Sequence, residues 1–265
     1  MGSPPLKTVA RAFRVLQVLD EQEGARPSEV AAELGVTRAT AHDYLASLAE
    51  VGFVSRNDGL YELGYRFLQL GNRKKYRGRL FRASIRSLVD LYRETGELVQ
   101  LGVEEQGEWV LLHAETDRGR VGPSPYSGFR TPLHTHAAGK VILAEFSEER
   151  RNELLDGDSL PAVTEQTTTD PATLRRELDR IADDGYAVDW DEQAVGVGFV
   201  ACPLTVDNET VGSISIGGPT SKFQREEYRE TLVRKLEAAA DDISVTYRQL
   251  LNRRSPLPTD SFENI

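Results

Sequence analysis

Residues 27–50 read PSEVAAELGVTRATAHDYLASLAE, and this stretch decides the fold of the first part of the chain. Pro27 and Ser28 predict the start of a helix that Ser28 caps, and Gly35 predicts its end. Thr37 predicts the N-cap of a second helix. Apolar residues recur at helical spacing in both, as Val30, Ala31 and Leu34 and then as Ala41, Tyr44, Leu45 and Leu48. Two short helices joined by a glycine turn are typical of a helix-turn-helix, whose second helix fits the DNA major groove.

The flanking segments extend this pattern on both sides. Upstream, a helix beginning at Thr8 is predicted to have one apolar face, formed by Val9, Ala12, Phe13, Leu16 and Leu19. Downstream, residues 53–55 and 60–63 read as two strands around the turn Asn57-Asp58-Gly59, which is the hairpin called a wing. We therefore predict a winged helix-turn-helix over residues 6–66. A small helical bundle without a DNA role is the alternative.

The solvent face of the second helix offers groups that can donate hydrogen bonds to base edges or phosphates. The candidate DNA-binding residues are Thr37, Arg38, Thr40, His42 and Ser47, together with Arg56 beside the wing turn. Each can equally be an ordinary solvated side chain. Asp43 lies on the same face, where its carboxylate repels phosphate unless it accepts from a cytosine amine or pairs with a neighbouring arginine.

Charge is distributed unevenly along the chain. The net charge is -10, yet residues 1–80 carry +3 and the remaining 185 residues carry -13. A basic N-terminal segment followed by an acidic remainder is typical of a nucleic-acid-binding protein, because binding depends on local charge and not on the net charge of the chain. The 26 arginines against 6 lysines in an acidic chain indicate a salt-adapted source such as a halophilic archaeon, although GC-rich coding alone also favours arginine.

Residues 67–95 are predicted to form a linker helix. They contain no proline, and an apolar stripe runs through Phe81, Ile85, Leu88, Val89 and Tyr92. The first half of the helix is basic, which fits either contact with flanking DNA or a solvated face. Gly71 and Gly78 weaken the helix, so either glycine can act as a hinge.

After Gly96 the hydrophobic pattern changes to alternation. Residues 98–103 and 109–113 predict two strands around Gln106-Gly107, and residues 197–206 and 210–216 predict a second hairpin. A helix begins at Asp170-Pro171 and ends before Gly185, and a last helix spans roughly residues 225–251. The fold class is therefore α+β, with an antiparallel sheet and flanking helices over residues 80–252 and a flexible tail at 253–265.

Several motifs resemble those of the IclR family of transcriptional regulators. Gly35 to His42 (GVTRATAH) resembles its recognition helix, and Tyr61 to Arg66 (YELGYR) its wing exit. PLHTHAAGK, GYAVD and SISIGGP, which begin at Pro132, Gly185 and Ser213, resemble motifs of its effector domain and occur in the same order. The resemblance covers residues 7 to about 251. It implies a GAF-like C-terminal domain that binds a small effector, dimers formed largely through the DNA-binding domains, and a near-palindromic duplex operator.

The resemblance also implies the residues of an effector site. They are Leu133, Ala137, Ala138, Asp189, Phe199, Ser215 and Gly217. Phe199 stands where the family commonly has cysteine, and Gly217 where serine is common, so the site loses two polar groups. A carboxylate ligand would still find helix N-terminal amides after Leu133 and the Ser215 hydroxyl, whereas Asp189 can accept from the hydroxyls of a sugar or sugar acid. We expect a small organic acid or a sugar-derived metabolite.

Other functions have weaker support. His134 and His136 with His113 form an incomplete zinc set, so we predict no metal, and no cofactor motif is present. No nucleophile with a base and an orienting group stands out, so we predict no enzyme, and Cys202 reads as a packed strand residue. A metabolite-binding module that acts through protein partners is the third alternative. The longest apolar runs are far below the length of a membrane span, and we expect a cytoplasmic homodimer or homotetramer.

Overall fold

The computed structural model describes residues 6–116, 126–156 and 160–252. The chain divides into two compact units, Met1–Lys75 and Tyr76–Ile265. The tail predicted at 253–265 lies outside the described residues.

The N-terminal unit is a winged helix-turn-helix. Its elements are α1 (Lys7–Glu21), α2 (Pro27–Leu34), α3 (Arg38–Glu50), β1 (Val54–Asn57) and β2 (Leu60–Leu63). Gly35 ends α2 in the left-handed conformation with φ 63°, and the Thr37 hydroxyl caps α3 by accepting from the Thr40 amide at 3.2 Å. Asp58 and Gly59 have φ values of 49° and 79°, which give the tight turn of the wing. These features confirm the predicted helix-turn-helix and hairpin.

The start of α2 differs from the prediction. Arg26 is the N-cap residue, and its backbone amide donates to the Glu29 side chain at 2.5 Å. Pro27 is in the first turn, where the missing amide hydrogen has no helical partner to lose. Ser28 was the wrong capping residue, because the helix begins two residues earlier than a cap at that position requires.

The core of this unit also corrects the predicted face of α1. Val15, Val18 and Leu19 are buried against α2, α3 and the wing, with Leu16 partly buried. Val9 and Phe13 are 50% and 62% exposed, so this part of the predicted apolar face does not contribute to the core of the unit. Helical periodicity identifies apolar stripes, but tertiary contacts decide which stripe faces the core.

The linker is two helices and not one. α4 (Arg66–Arg77) and α5 (Arg79–Thr95) are separated by Gly78, whose backbone is extended with φ -61° and ψ 127°. Gly71 lies inside α4 without interrupting it. A glycine loses more backbone entropy in a helix than other residues do, which makes Gly78 a natural place for the break.

The C-terminal unit is built on a six-stranded antiparallel sheet. Its strands are β3 (Leu98–Glu105), β4 (Glu108–Glu115), β5 (Arg130–Pro132), β6 (Ala187–Trp190), β7 (Val197–Val206) and β8 (Glu209–Pro219). Their order is β5-β4-β3-β8-β7-β6. The helices after the linker are α6 (Ala137–Ala144), α7 (Glu148–Leu154), α8 (Pro171–Asp184), α9 (Thr220–Phe223) and α10 (Glu226–Asn252). This confirms the predicted α+β class and both hairpins, whereas β5 and β6 are strands that were not predicted.

Two hydrophobic cores lie on opposite faces of this sheet. Alternation along β8 places Ile214 and Ile216 in the core beneath α5 and α10. The intervening Ser213 and Ser215 are buried on the other face, where Phe199 and Ala201 of β7 pack with α6 and α8. The second face is therefore the one that combines buried polar groups with an apolar lining. Among the described residues, no helix is long and apolar enough to cross a membrane.

Candidate DNA-binding surface and effector site

The first turn of α3 presents an exposed polar surface. Arg38 is exposed and makes no hydrogen bond or ion pair within the described part of the chain. Thr37 and Thr40 bond to each other through their hydroxyls at 2.9 Å, which holds both side chains at the helix start. His42 is also exposed, one turn further along the helix.

Asp43 and Ser47 are linked on the same helix. The Ser47 hydroxyl donates to the Asp43 backbone carbonyl at 2.8 Å, so its proton is already used within the helix. The Asp43 side chain is 84% exposed, and its carboxylate lies 3.9 Å from Nδ1 of His42. This arrangement leaves Ser47 only its acceptor capacity toward DNA, and it places a negative charge beside His42.

The wing carries Arg56 on β1. Arg56 pairs in register with Tyr61 of β2, and its guanidinium lies over the Tyr61 ring at 5.5 Å from the ring centroid. Arg66, which follows the wing, donates to the Val51 carbonyl at 2.6 Å and stacks on Phe53. Arg56 is therefore the exposed cation of the hairpin, while Arg66 ties the hairpin to the end of α3.

The seven predicted effector residues all lie buried in the C-terminal unit. Leu133, Ala137 and Ala138 belong to α6 and the short 3-10 turn before it, and they pack in the same core as Phe199. The others are on neighbouring strands of the same sheet: Asp189 on β6, Phe199 on β7, and Ser215 and Gly217 on β8. The fold thus brings together residues that are up to 84 positions apart in the sequence.

The ring of Phe199 fills the space that a side chain at position 217 would need. Phe199 and Gly217 are register partners on β7 and β8, and a Cβ atom on Gly217 would lie 2.3 Å from Cε1 of Phe199. No side chain fits at position 217 while the ring holds this position. The two departures from the family pattern are therefore a matched pair, in which an aromatic ring fills the volume next to a missing side chain.

Buried polar groups line the same face of the sheet. The Ser215 hydroxyl is 3.5 Å from Oε1 of Gln100, which is itself buried on β3. Nε1 of Trp109 donates to the Ser213 hydroxyl at 3.0 Å. Because buried polar groups are costly without partners, these bonds fix the side chains that a ligand would meet.

Asp189 has one oxygen that is bonded and one that is not. Its Oδ1 accepts from the Glu192 amide at 2.7 Å, and its Oδ2 is buried without a partner among the described residues. The pKa of Asp189 is raised to about 7, mainly by burial and also by the nearby Glu192 and Asp191 carboxylates, against the opposing effects of the Glu192 amide and of Lys140. A buried polar atom without a partner is typical of a position that a ligand or a water satisfies.

The neighbouring histidines have different roles. Nε2 of His134 donates to the Pro161 carbonyl at 2.8 Å. His136 is fully buried against the Trp109 ring, and its Nε2 has no described partner. Burial lowers the pKa of His136 to about 3, so its imidazole is neutral. No group of three potential metal ligands occurs within the described ranges.

Sequence reasoning missed a buried ion cluster next to this site. The Lys140 side chain is completely buried, and its Nζ lies 2.7 Å from Glu177 of α8 and 2.6 Å from Glu192. Both carboxylates are distant in the sequence, so their convergence was not predictable. The available signal was a lysine inside the apolar run of residues 137–144, since a buried lysine needs a charged partner.

Cys202 is buried on β7 in the core beneath α5 and α10. Burial raises the pKa of its thiol to about 12, so the group is a neutral packing residue, as the sequence predicted.

Two family models match the chain. One is described as the IclR helix-turn-helix domain and matches residues 8–58, and the other as the bacterial transcriptional regulator IclR C-terminal and matches residues 77–245. A relative from Halobacterium salinarum, named as the probable HTH-type transcriptional regulator ArcR, is 29% identical over 91% of this chain and 93% of its own length.

Solved structures share both sequence and fold with the chain. The IclR protein of Thermotoga maritima is 31% identical with a TM-score of 0.76, over 91% of this chain and 98% of that one. An IclR homologue from Microbacterium hydrocarbonoxydans, solved with 4-hydroxybenzoate, is 26% identical with a TM-score of 0.79, over 91% and 99% of the two chains. With a helix-turn-helix domain at its start and an effector-binding domain after it, the chain belongs to the IclR family of transcriptional regulators.

Proposed function

We propose that the protein binds a near-palindromic duplex operator as a homodimer, with α3 of each copy in a major groove. The observation that carries this proposal is the exposed polar surface of α3, where Arg38 in the first turn and His42 one turn further along face solvent. Arg38 is the candidate for a bidentate contact to guanine. Thr37 and Thr40 would donate to phosphate oxygens, and Arg56 of the wing would contact phosphate or the minor groove. Ser47, whose proton is bonded within the helix, would accept from a base amine.

A second surface supports the dimer. Leu6, the N-cap residue of α1, is followed at helical spacing by Val9 and Phe13, and all three are at least half exposed. A contiguous apolar stripe of this kind on a small unit is typical of a protein–protein contact. A second copy of the same unit would cover it and would separate two recognition helices by about one turn of DNA. A tetramer would then be two such dimers.

The effector site of this chain, in our proposal, lies between α6 and the sheet. Buried polar atoms without described partners, Oδ2 of Asp189 and Nε2 of His136, support this position. Leu133, Ala137, Ala138, Phe199, Ser215 and Gly217 would supply the lining. The effector is a small organic acid or a sugar-derived metabolite, a class that includes the 4-hydroxybenzoate bound by the Microbacterium homologue.

The effector would control DNA binding by having unequal affinity for two arrangements of the DNA-binding domains. Gly78 between α4 and α5 is where we propose that these arrangements differ, because its extended backbone already interrupts the linker.

Arg38→Ala tests the DNA contact. Fluorescence anisotropy on a duplex from the chain's own upstream region should show a loss of roughly 1–3 kcal/mol and a relaxed base preference at one position. Arg14→Ala is the matched control, because Arg14 is an exposed arginine of α1 paired with Glu21 at 3.0 Å. Equal binding by wild type and Arg38→Ala would remove Arg38 from the interface.

Thermal-shift measurements against organic acids and sugar acids test the effector site. Binding to the folded state raises the melting temperature by an amount that grows with the logarithm of ligand concentration relative to Kd, so an effector identifies itself by its shift. The absence of any shift across both classes would contradict the proposed ligand chemistry.

Asp43 favours one alternative function, a metabolite-binding module that acts through protein partners without specific DNA binding. Its exposed carboxylate lies on the face that would meet phosphate. The same anisotropy experiment separates the two functions, because such a module would not distinguish its own upstream duplex from random DNA.

A further inference from the structure

One cation is surrounded by several carboxyl groups next to the proposed effector site, and the inference drawn from this rests on that proposed function. Lys140 contacts Glu177 at 2.7 Å and both oxygens of Glu192 at 2.6 and 2.7 Å. Its exposed fraction is zero. The three donor protons of the ammonium are therefore used by these two carboxylates.

Asp189 lies beside this cluster but outside its hydrogen bonds. Its Oδ1 accepts only a backbone amide, that of Glu192, and its Oδ2 has no partner in the described ranges. The side chain is fully buried. A charged carboxylate in this position would lack a cationic hydrogen-bond donor, and isolated buried charges neutralise instead.

The other titratable groups around Asp189 do not supply positive charge. Asp191 on the same turn accepts from the Gly196 amide and the Thr220 hydroxyl, and it adds a further negative charge. Burial lowers the pKa of both His134 and His136, so these imidazoles are neutral. The Lys140 ammonium thus bonds to Glu177 and Glu192, whereas the bonds described for Asp189 and Asp191 come from backbone amides and a hydroxyl.

We propose that Asp189 holds a proton in the free protein near neutral pH and recognises the effector by donating that proton from Oδ2 to a carboxylate or carbonyl oxygen. Lys140 donates directly to Glu177 and Glu192 and to neither oxygen of Asp189, which leaves Asp189 as the buried carboxyl without a cationic donor. Burial raises the pKa of Glu192 as well, but there the bonded ammonium opposes the shift. The raised pKa of Asp189, about 7, agrees with this assignment.

The assignment selects the ligand class. A protonated carboxyl is a strong donor to an anion, and charge-assisted bonds of this type are roughly twice as strong as neutral ones. An ionised Asp189 would instead repel an organic acid and accept from the hydroxyls of a sugar. The site is therefore specific for organic acids or oxo acids, and binding of the anion stabilises the proton on Asp189.

Infrared titration of the free protein tests the proton directly, without any ligand. With ¹³C-labelled aspartate, wild type should show a buried protonated carboxyl that titrates near pH 7, as its raised pKa indicates. The band should be missing from Asp189→Asn and present in Asp183→Asn, a control at an exposed carboxylate of α8. Persistence of the band in Asp189→Asn, or titration only in the ordinary range of aspartate, overturns the inference.

Binding measurements test the donor role. The probes are pyruvate, benzoate and 4-hydroxybenzoate, compared by calorimetry with glycerol as a neutral polyol. Wild-type affinity for a bound acid should fall by about tenfold per pH unit above the pKa of Asp189. Asp189→Asn keeps a donor at the same position, so it should retain acid binding within a few fold and lose the pH dependence. Acid binding that is independent of pH in wild type, or abolished in Asp189→Asn, overturns the donor role.

The infrared and binding experiments distinguish a failure of this inference from a failure of the proposed function. Binding of glycerol but of none of the acids overturns the ligand class inferred here while leaving a metabolite-controlled regulator intact. Loss of specific DNA binding in the anisotropy experiment would refute the proposed function, and the infrared titration would still decide whether Asp189 carries the proton.

Discussion

Serine at position 217 should be incompatible with phenylalanine at position 199. The Cβ of the new side chain would lie 2.3 Å from Cε1 of the ring, closer than carbon atoms approach in folded proteins, and further contacts at 2.7 and 3.0 Å involve the same ring. Overpacking of this kind costs about 1–3 kcal/mol of the free energy of unfolding. We therefore expect Gly217→Ser alone to destabilise the C-terminal unit by that amount.

Phe199→Cys alone should also destabilise, because it removes a buried ring. The loss should approach but not reach the roughly 3–5 kcal/mol of a phenylalanine-to-alanine change in a core. The double variant combines the cysteine and serine that are common in the family, and the serine then occupies space that the ring has left. Its free energy of unfolding should exceed the additive expectation by about 1–3 kcal/mol.

Urea denaturation followed by tryptophan fluorescence measures this cycle. Both tryptophans, Trp109 and Trp190, are in the C-terminal unit, so the signal reports the unit that carries the substitutions. Asp183→Asn is the control, because Asp183 is an exposed residue of α8 in the same unit. Additivity of Gly217→Ser and Phe199→Cys within about 0.5 kcal/mol would refute the matched-pair interpretation.

Three further substitutions test other parts of the structure. Thr37→Ala removes the cap of α3 and should lower the free energy of unfolding of the N-terminal unit by about 1 kcal/mol, as measured by thermal denaturation, whereas Thr37→Ser keeps the capping hydroxyl and should keep wild-type stability. Equal stability of wild type, Thr37→Ala and Thr37→Ser would contradict the cap. Because its folded pKa of about 7 lies above the ordinary aspartate value of 3.8, Asp189 stabilises the fold fully below about pH 4 and loses that contribution as pH rises to 7. Urea titrations across this pH range should show that the free energy of unfolding declines by on the order of 4 kcal/mol in wild type and in Asp183→Asn but not in Asp189→Asn. The same pH dependence in all three proteins would contradict the raised pKa of Asp189. Lys140→Met leaves buried carboxylates unpaired and should cost about 3–5 kcal/mol by urea denaturation, with partial recovery on adding Glu192→Gln; a neutral effect would exclude a buried charge cluster.

Local signals predicted most of the secondary structure. The Thr37 cap, the glycine ending at Gly35 and the Asp58-Gly59 turn each act within a few residues, so the sequence determines them directly. The two-residue turns at Gln106-Gly107 and at Asp207-Asn208 follow the same rule, because each has positive φ at both positions. Turn chemistry of this kind requires no knowledge of distant contacts.

Features that depend on distant contacts were not predictable in the same way. β5 has only three residues, and its pairing with β4 crosses 22 positions between Glu108 and Arg130, which form an ion pair at 2.7 Å. The exposed face of α1 depends on a partner surface outside its own helix. Gly78 was recognised as a weak point of the linker, but whether the helix would bend or break there depends on packing at both ends.

The candidate site shows the same division. The seven effector residues were found through family motifs, since nothing in their spacing brings β6, β7 and β8 together with α6. The functional meaning of Phe199 and Gly217 appeared only when their register across the sheet was known. The ion cluster at Lys140 required three segments to converge, and the lysine inside an apolar helix was its only local sign.

The central claim is that this chain distinguishes one duplex sequence from others through α3. The most direct measurement is fluorescence anisotropy of the purified full chain on its own upstream duplex, with random duplex competitor at the ionic strength of its cell. The account predicts binding at least about 10³-fold tighter than to the competitor. Equal affinity for the two duplexes would contradict it.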